Sequence, residues 1–233
     1  MIAWLPAIWA ADRADRQTPI DRLIRSLPTH GWHLRADALR LIAQIVAEAR
    51  PRLVLELGSG SSTVLLARQC ANLSGGTRVV SVEESPLFAA NTRRLLRRHN
   101  LLDRVSIVVS PVVRTRIGHW RGYCYEMSEA GIASAMAGER AELALIDGPK
   151  SAWTMRGDCR YATLPLIRRW LVDGALVIVD DAHRRRERDI IERWTTERLF
   201  EPLRSYAVGG GLNVGRVSAS PIGSAIAAPV GLR

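Results

Sequence analysis

The sequence predicts an α/β fold in which a doubly wound, mostly parallel sheet of seven strands ends in an antiparallel hairpin. Short apolar runs alternate with helical patterns along most of the chain, which is typical of parallel strands joined by crossover helices. The first run, 53–57, opens into a loop that contains Gly58 and Gly60 and precedes a helical pattern. Near the C-terminus, three glycines at 209–211 separate two further apolar runs and predict the turn of the hairpin.

Each predicted element has a local signal. A helix over 35–49 has apolar residues on one face and stops before Pro51. Ser85 followed by Pro86 predicts a helix start, because serine caps free N–H groups and proline suits the first turn. The stretch 110–140 has no clear period, so we expect it to be irregular. The other predicted elements are strand 53–57, helix 62–72, strand 78–82, a helix from 86 to about 100, strand 105–109, strand 141–146, helix 164–171, strand 175–179, helix 184–197 and strands 203–208 and 212–217.

These elements predict one domain over residues 34–217, preceded by an N-terminal extension over 1–33 and followed by a loose tail over 218–233. Residues 1–10 are apolar but lack a basic leader, so we expect a packed segment rather than a signal peptide. No apolar run reaches the length of a membrane-spanning helix, and we expect no membrane partner.

The chain has a formal net charge of +10, a balance that is compatible with a nucleic-acid partner. We do not favour that partner. The basic residues are arginines apart from Lys150, which indicates a compositional bias, and a group such as Arg93, Arg94, Arg97 and Arg98 fits the solvated face of a helix. No aromatic-rich RNA-binding signature accompanies these arginines.

The three cysteines, Cys70, Cys124 and Cys159, are odd in number and scattered. This pattern gives neither a disulfide framework nor the spacing of a metal site. We therefore expect free thiols in a reducing compartment and a cytoplasmic protein.

Acidic residues end several of the predicted strands. Glu83 follows strand two, Asp147 follows strand four, and Asp180 and Asp181 follow strand five. Ligands of an open parallel sheet bind beyond the carboxyl ends of its strands, so these residues are functional candidates. We expect the three aspartates to converge, because strands four and five are neighbours in such a sheet. Close carboxylates repel one another, which a hard cation such as Mg²⁺ would relieve.

Four segments in this order make the chain resemble a class I S-adenosylmethionine-dependent methyltransferase, a Rossmann-like fold. The segments are 54–60, 80–83, 145–149 and 174–181, and the resemblance covers about residues 34–217. It implies S-adenosylmethionine as cofactor, with Glu56 near its ammonium group, the loop and helix start around its methionine part, and Glu83 on the ribose hydroxyls. Glu84 is the rival for the ribose role. The implied cofactor-binding set is Glu56, Gly58, Ser59, Gly60, Ser62, Glu83, Ser110 and Asp147.

Residues 147–181 resemble catechol O-methyltransferase and its relatives. In that family an Asp at this strand end is a metal ligand, a lysine three residues later is the base, and an Asp-Asn pair ends the next strand. Here Asp147, Lys150 and Asp180 match, while Asp181 replaces the Asn. The resemblance implies Mg²⁺ on the three aspartates and Lys150 as the base. Metal-free relatives also carry acids there, and His183 is a second candidate for the base because histidine titrates near neutral pH.

We therefore predict a methyltransferase that acts on the hydroxyl of a small molecule by direct displacement. One alternative is an RNA or protein methyltransferase, although strand four lacks the Asn/Asp-Pro-Pro-aromatic motif of amino-methylating nucleic-acid enzymes. Another is a nucleic-acid-binding module without turnover. A dinucleotide oxidoreductase is disfavoured, because Thr63 stands where its fingerprint has a third glycine. The aromatic residues of 110–140, namely Trp120, Tyr123 and Tyr125 with His119, are candidates for the wall around the acceptor.

Overall fold

The computed structural model describes residues 18–31, 33–73, 76–127, 129–150 and 159–218, apart from the side chains of 129 and 130. The predictions for residues 1–10 and for the tail beyond 218 lie outside this part of the chain. Two short 3-10 helices cover Leu102–Arg104 and Arg168–Trp170. The helices and strands are, in order, α1 (Pro19–Ser26), α2 (Ala36–Ala49), β1 (Leu53–Leu57), α3 (Ser61–Asn72), β2 (Arg78–Glu83), α4 (Pro86–Arg98), β3 (Val105–Val109), β4 (Val112–Ile117), β5 (Trp120–Tyr125), α5 (Glu129–Met136), β6 (Ala141–Ile146), α6 (Thr163–Ile167), β7 (Leu171–Val179), α7 (Arg185–Thr196), β8 (Phe200–Tyr206) and β9 (Leu212–Val217).

Seven of the strands form one sheet in the order β3-β2-β1-β6-β7-β9-β8. Strands β3, β2, β1, β6 and β7 are parallel, and β9 runs antiparallel to both β7 and β8. The predicted fold class is therefore confirmed, including the C-terminal hairpin. Because β1 pairs with both β2 and β6, the strand order reverses beside β1, and the crevice above this switch point is where such sheets bind ligands.

The two faces of the sheet carry separate apolar layers, since successive side chains on a strand point to opposite sides. Val54, Val79 and Leu143 pack with helices α1, α2 and α3, whereas Leu55 and Val177 pack with the β4–β5 hairpin and with α6 and α7. Helix α1 belongs to the predicted N-terminal extension and buries its side chains in the same cluster as α2. All three cysteines are buried, and none of them forms a disulfide bond within the described part of the chain.

The expectation of an irregular stretch over 110–140 is wrong. Strands β4 and β5 form an antiparallel hairpin in which Ile117 pairs with Trp120, so the turn consists of Gly118 and His119. Helix α5 follows. Arg114 and Arg116 are exposed and alternate with buried residues, so the strand period is present. The hairpin escapes detection because the polar Thr115 occupies one of the buried positions, which leaves too few apolar residues to show that period.

Two further boundaries differ from the prediction. Helix α6 ends at Ile167, and β7 begins at Leu171 rather than at 175. Asp173 and Gly174 are not a turn between helix and strand but lie within β7, where its register against β6 shifts. Strand β8 spans Phe200–Tyr206 instead of 203–208 and includes Pro202, which an edge strand tolerates because one side of it has no partner.

Candidate active site

A cleft lies at the carboxyl ends of β1, β2 and β6. Five of the predicted catalytic and cofactor-binding residues line it, namely Gly58, Ser59, Glu83, Asp147 and Lys150. Glu84 and Tyr125, which the sequence analysis also named, line it together with His33, Phe88 and Gly148.

The glycine loop is fixed where β1 and β6 end side by side. Gly58 has a φ of +96°, and its N–H donates to the carbonyl of Val82 at 2.8 Å. A Cβ atom at Gly58 would lie 3.3 Å from the backbone nitrogen of Gly148. The N–H groups of Asp147 and Gly148 both donate to the carbonyl of Leu57. Glycine therefore satisfies both an unusual backbone angle and a close approach of two chain segments.

Glu83 faces the cleft with its carboxylate held by neutral donors. Its Oε2 accepts hydrogen bonds from the N–H and the hydroxyl of Ser59, at 2.8 and 2.9 Å, and its Oε1 accepts one from the N–H of Ser85 at 2.9 Å. An ionised carboxylate offers about four lone-pair sites, so one remains on Oε1. The Ser59 hydroxyl also lies 3.0 Å from Thr92 Oγ1 and can donate there instead. Glu83 is thus able to accept two hydroxyl donors.

Glu56 lies beneath the loop and does not line the cleft. Its Oε2 accepts hydrogen bonds from Thr63 and Ser81, at 2.6 and 2.7 Å, while Oε1 has no partner among the described residues. Burial raises the pKa of this carboxyl to about 7, against the opposing effect of its hydroxyl donors. The proposed contact with a cofactor ammonium stays a prediction, with Oε1 as the acceptor that it would use.

Three other predicted cofactor residues are buried around the cleft rather than in its lining. The N–H of Gly60 donates to Thr63 Oγ1, and Ser62 lies in the first turn of α3. Ser110 donates its hydroxyl to the carbonyl of Glu126 and its N–H to the carbonyl of Glu83. These contacts fix the loop and the end of β3, and the cofactor roles of Gly60, Ser62 and Ser110 stay predictions.

The three aspartates converge as expected. Asp147, Asp180 and Asp181 each offer a carboxylate oxygen within 4.8 Å of the other two. Burial, followed by the nearby charges of Asp147 and Asp181, raises the pKa of Asp180 to about 8. Burial is also the main cause that raises the pKa of Asp147. This crowding at the ends of β6 and β7 requires a positive partner.

That partner is Arg160, which the sequence analysis missed. Arg160 is only 5% exposed. One guanidinium nitrogen, Nη2, lies 3.6 Å from the carboxylate of Asp147 and 3.3 Å from that of Asp181, and the other, Nη1, lies 3.6 Å from Glu187. The sequence contains one signal, since Arg160 lies next to Cys159 and an apolar run, where an arginine would be buried. An arginine is rarely buried without an acidic partner.

The aspartates have the right chemistry for Mg²⁺, because carboxylate oxygens are its usual protein ligands and theirs lie within 4.8 Å of one another. The guanidinium of Arg160 is what opposes an ion there. An ion bound to the Asp181 oxygen that contacts Arg160 would also lie within about 5.4 Å of the guanidinium, close enough for strong repulsion in a buried site.

The two candidates for the base occupy different surroundings. Lys150 lines the cleft, and its Nζ lies 3.6 Å from the centre of the Phe88 ring. His183 is exposed, outside the lining of the cleft, and packs against the turn before β9, where a Cβ at Gly211 would lie 2.4 Å from its ring. Of the predicted aromatic wall, Tyr125 reaches the cleft, whereas Trp120 stacks on Tyr161 with ring centres 5.2 Å apart.

His33 lines the cleft but was not predicted from any sequence pattern. It lies just before α2 and its Nδ1 is 3.4 Å from the Ser61 hydroxyl at the start of α3. Burial lowers the pKa of His33, with smaller contributions from Lys150 and His30. The segment before α2 thus closes the cleft beside the glycine loop.

A sheet of this order, with a glycine loop after β1 and an acid after β2, defines the class I methyltransferase fold. A family model described as a methyltransferase domain matches residues 55–182. The chain belongs to this family, and the resemblance noted in its sequence is confirmed.

Individual relatives agree with this assignment. The chain is 39% identical over 72 residues to catechol O-methyltransferase of Mus musculus, a match that spans 30% of this chain and 26% of the mouse enzyme. A methyltransferase from Geobacter sulfurreducens has a similar fold, with a TM-score of 0.59, 18% identity and coverage of 92% of this chain and 96% of that one. An O-methyltransferase from Bacillus cereus in complex with S-adenosylhomocysteine gives a TM-score of 0.59 and 18% identity, with coverage of 91% and 96%. Within the described residues, none of the helices is both long and apolar enough to cross a bilayer.

Proposed function

We propose that this chain transfers a methyl group from S-adenosylmethionine to a hydroxyl of a small molecule. The observation that carries the proposal is Glu83, whose carboxylate lies in the cleft at the switch point of the sheet with capacity for two hydroxyl donors. Neighbouring ribose hydroxyls are such donors. The close approach at Gly58 leaves a backbone floor against which an adenosyl group can lie.

The remaining cofactor contacts in the proposal follow the family resemblance. The start of α3 provides free N–H groups that suit the carboxylate of the cofactor, as helix starts generally suit anions. Glu56 Oε1, buried and without a partner among the described residues, suits its ammonium. The full proposed set is Glu56, Gly58, Ser59, Gly60, Ser62, Glu83, Ser110 and Asp147.

The bound cofactor supplies an electrophilic methyl group, and transfer forms an oxygen–carbon bond while the carbon–sulfur bond breaks and its electron pair goes to sulfur. The chain must hold the acceptor in line and remove its proton. We propose Lys150 as the group that takes this proton at Nζ, since it lines the same cleft as Asp147 and Glu83. The exposure of His183 makes it the weaker candidate.

The acceptor class rests on two supports. One relative, 39% identical over 72 residues, is a catechol O-methyltransferase, and several structures of the same fold are named O-methyltransferases. In this chain Phe88 and Tyr125 give the cleft aromatic walls that can bound a flat, apolar acceptor. We do not include Mg²⁺ in the proposed reaction, because Arg160 lies against two of its three candidate ligands.

The proposal is tested by titrating the purified protein with S-adenosylhomocysteine in a calorimeter. Saturable binding with one site per chain is expected. Labelled S-adenosylmethionine is then supplied with panels of phenolic, sugar and amine acceptors and with RNA. Label on a hydroxyl acceptor supports the proposal, whereas label on RNA or amines alone refutes the acceptor class, and absence of cofactor binding refutes the function.

A further inference from the structure

We propose that the guanidinium of Arg160 is the resident cation of the three-aspartate cluster, so that the cluster works without a divalent metal ion. This inference rests on the proposed function only for its prediction about turnover. The cluster itself is defined by Asp147, Asp180 and Asp181 at the ends of β6 and β7.

The guanidinium contacts all parts of this cluster. Its Nη2 donates to the carbonyl of Asp147 at 2.5 Å and lies within 3.6 Å of the carboxylates of Asp147 and Asp181. Its Nη1 donates to the carbonyl of Asp180 at 3.0 Å. One side chain therefore ties the ends of both strands together, which is the structural task that a bridging metal ion would otherwise perform.

A fourth carboxylate lies beside the other terminal nitrogen of Arg160, whose Nε has no partner among the described residues. Glu187, from the first turn of α7, is 4% exposed and lies 3.6 Å from Nη1. Glu187 lies on the opposite nitrogen from Asp147 and Asp181, so carboxylates approach the guanidinium from two sides. A guanidinium is planar, permanently charged and forked, and thus suits several carboxylates at once, unlike the compact ammonium of lysine.

The position of Arg160 also opposes a divalent metal ion among the aspartates. Its residue is 95% buried, and its Nη nitrogens are committed to both strand ends and to α7. Arg184 adds a further positive group, with its Nη1 2.7 Å from Asp181 Oδ2. A divalent ion among the aspartates would force both guanidinium groups to move away. Because Arg160 is buried, water could not replace the contacts that its charge would lose.

The first test uses the wild-type protein after exhaustive treatment with chelator. We expect electron paramagnetic resonance to detect no stoichiometric binding of Mn²⁺, used as a spectroscopic substitute for Mg²⁺, up to about 1 mM. Turnover with and without chelator should agree within about twofold. Binding of one Mn²⁺ per chain would overturn the proposal, whether or not the protein turns over.

The second test compares Arg160→Gln with Arg160→Lys. Removing the charge while leaving the acids should create a Mn²⁺ site, with affinity at least about tenfold above that of wild type. Arg160→Lys keeps a cation and should bind no more Mn²⁺ than wild type. A purely structural role would not give Arg160→Gln a metal site, so equal weak binding by both variants would count against the proposal.

These measurements test the proposed function and the role of Arg160 separately. Calorimetry with S-adenosylhomocysteine on wild-type protein reports the proposed function, and Mn²⁺ binding reports the role of Arg160. Cofactor binding together with a stoichiometric Mn²⁺ site refutes only the role of Arg160. If Arg160→Gln fails to fold, the wild-type Mn²⁺ measurement alone decides.

Discussion

Carboxylates at two neighbouring parts of the sheet edge are stabilised in opposite ways. At the end of β2, Glu83 is held by two N–H groups and a hydroxyl. At the ends of β6 and β7, three aspartates surround a buried guanidinium. The first arrangement uses dipoles fixed by the backbone, and the second uses a full opposite charge.

The difference separates a carboxylate that can bind a ligand from carboxylates whose interactions are within their own cluster. Glu83 keeps acceptor capacity toward the cleft, because its neutral donors occupy only part of its lone pairs. Burial, together with the nearby charges of Asp147 and Asp181, raises the pKa of Asp180 to about 8. The structure of the aspartate cluster depends on Arg160, whereas Glu83 depends on the loop that contains Ser59.

Lys150 joins the two regions, since it follows Asp147 closely and its Nζ lies on the Phe88 ring beside the Glu83 region. Replacing it with arginine keeps the positive charge but removes the ability to accept a proton. We expect kcat to fall by about 10²- to 10⁴-fold, the usual contribution of a general base. Steady-state kinetics with saturating cofactor measures this loss.

The matched control for Lys150→Arg is His183→Gln, which alters the rival base. We expect its kcat to stay within about threefold of wild type, since His183 lies outside the lining of the cleft. Near-normal rates for Lys150→Arg would clear the lysine of the role, and a large loss for His183→Gln would transfer it to the histidine.

Removing the carboxylate of Glu83 tests the ligand-ready region directly. Glu83→Ala should weaken S-adenosylhomocysteine binding by at least about 100-fold, because two hydrogen bonds to a charged group are lost. Calorimetry supplies the affinity. Glu84→Ala is the control, since Glu84 also lines the cleft and is the rival for the ribose role; equal losses in both variants would contradict the assignment.

Glu56 is a third kind of carboxylate, held by hydroxyls and buried. Burial raises the pKa of its carboxyl to about 7, from about 4.5 for an exposed glutamate. The folded state thus holds this proton more tightly than the unfolded chain, so the free energy of unfolding falls as pH rises through this window. Between about pH 5 and 7 the contribution of Glu56 should fall by about 2 kcal/mol.

Chemical denaturation of wild type and Glu56→Gln across this pH range isolates that effect. The glutamine variant cannot titrate, so the difference in stability between the two proteins should change by about 2 kcal/mol in its favour as pH rises from about 5 to 7. A difference that stays constant with pH would show that Glu56 remains ionised when buried.

Gly148 lies where the two regions meet, and a side chain there should have a smaller effect. A Cβ atom would approach the Tyr125 hydroxyl to 2.0 Å and the Gly58 nitrogen to 3.3 Å. We expect Gly148→Ala to lower the free energy of unfolding by about 1–2 kcal/mol. Adding Tyr125→Phe should recover part of the loss, with Tyr125→Phe alone as the control; a double variant no more stable than Gly148→Ala would place the clash elsewhere.

Much of the fold follows from local sequence. Strands β1, β3 and β6 have the predicted bounds, because each is a short apolar run between strong breakers. Ser85 accepts the N–H of Phe88 at the start of α4, as its spacing before Pro86 predicts. The β4–β5 hairpin was not predicted in this way, because the polar Thr115 occupies a buried position of β4 and few apolar residues remain to show the period of the strand.

The site divides along the same line. Gly58, Ser59, Glu83, Asp147 and Lys150 were identified from the sequence and line the cleft, because strand ends are local features and their sheet position follows from the topology. Tyr125 was also named beforehand, as a candidate for the wall around the acceptor, whereas His33 from before α2 and Phe88 from α4 were not predicted. No local pattern indicates that such residues meet, since their approach depends on how helices and hairpin pack on the sheet.

The sequence by itself determined the order of strands and helices, the glycine loop and the acids that end the strands, since these depend on the chemistry of neighbouring residues. The tertiary structure alone decided what neutralises those acids. Arg160 reaches them from a different segment, and its buried charge is stable only because three carboxylates and two carbonyls surround it. Long-range electrostatic pairing of this kind leaves no period or spacing in the chain.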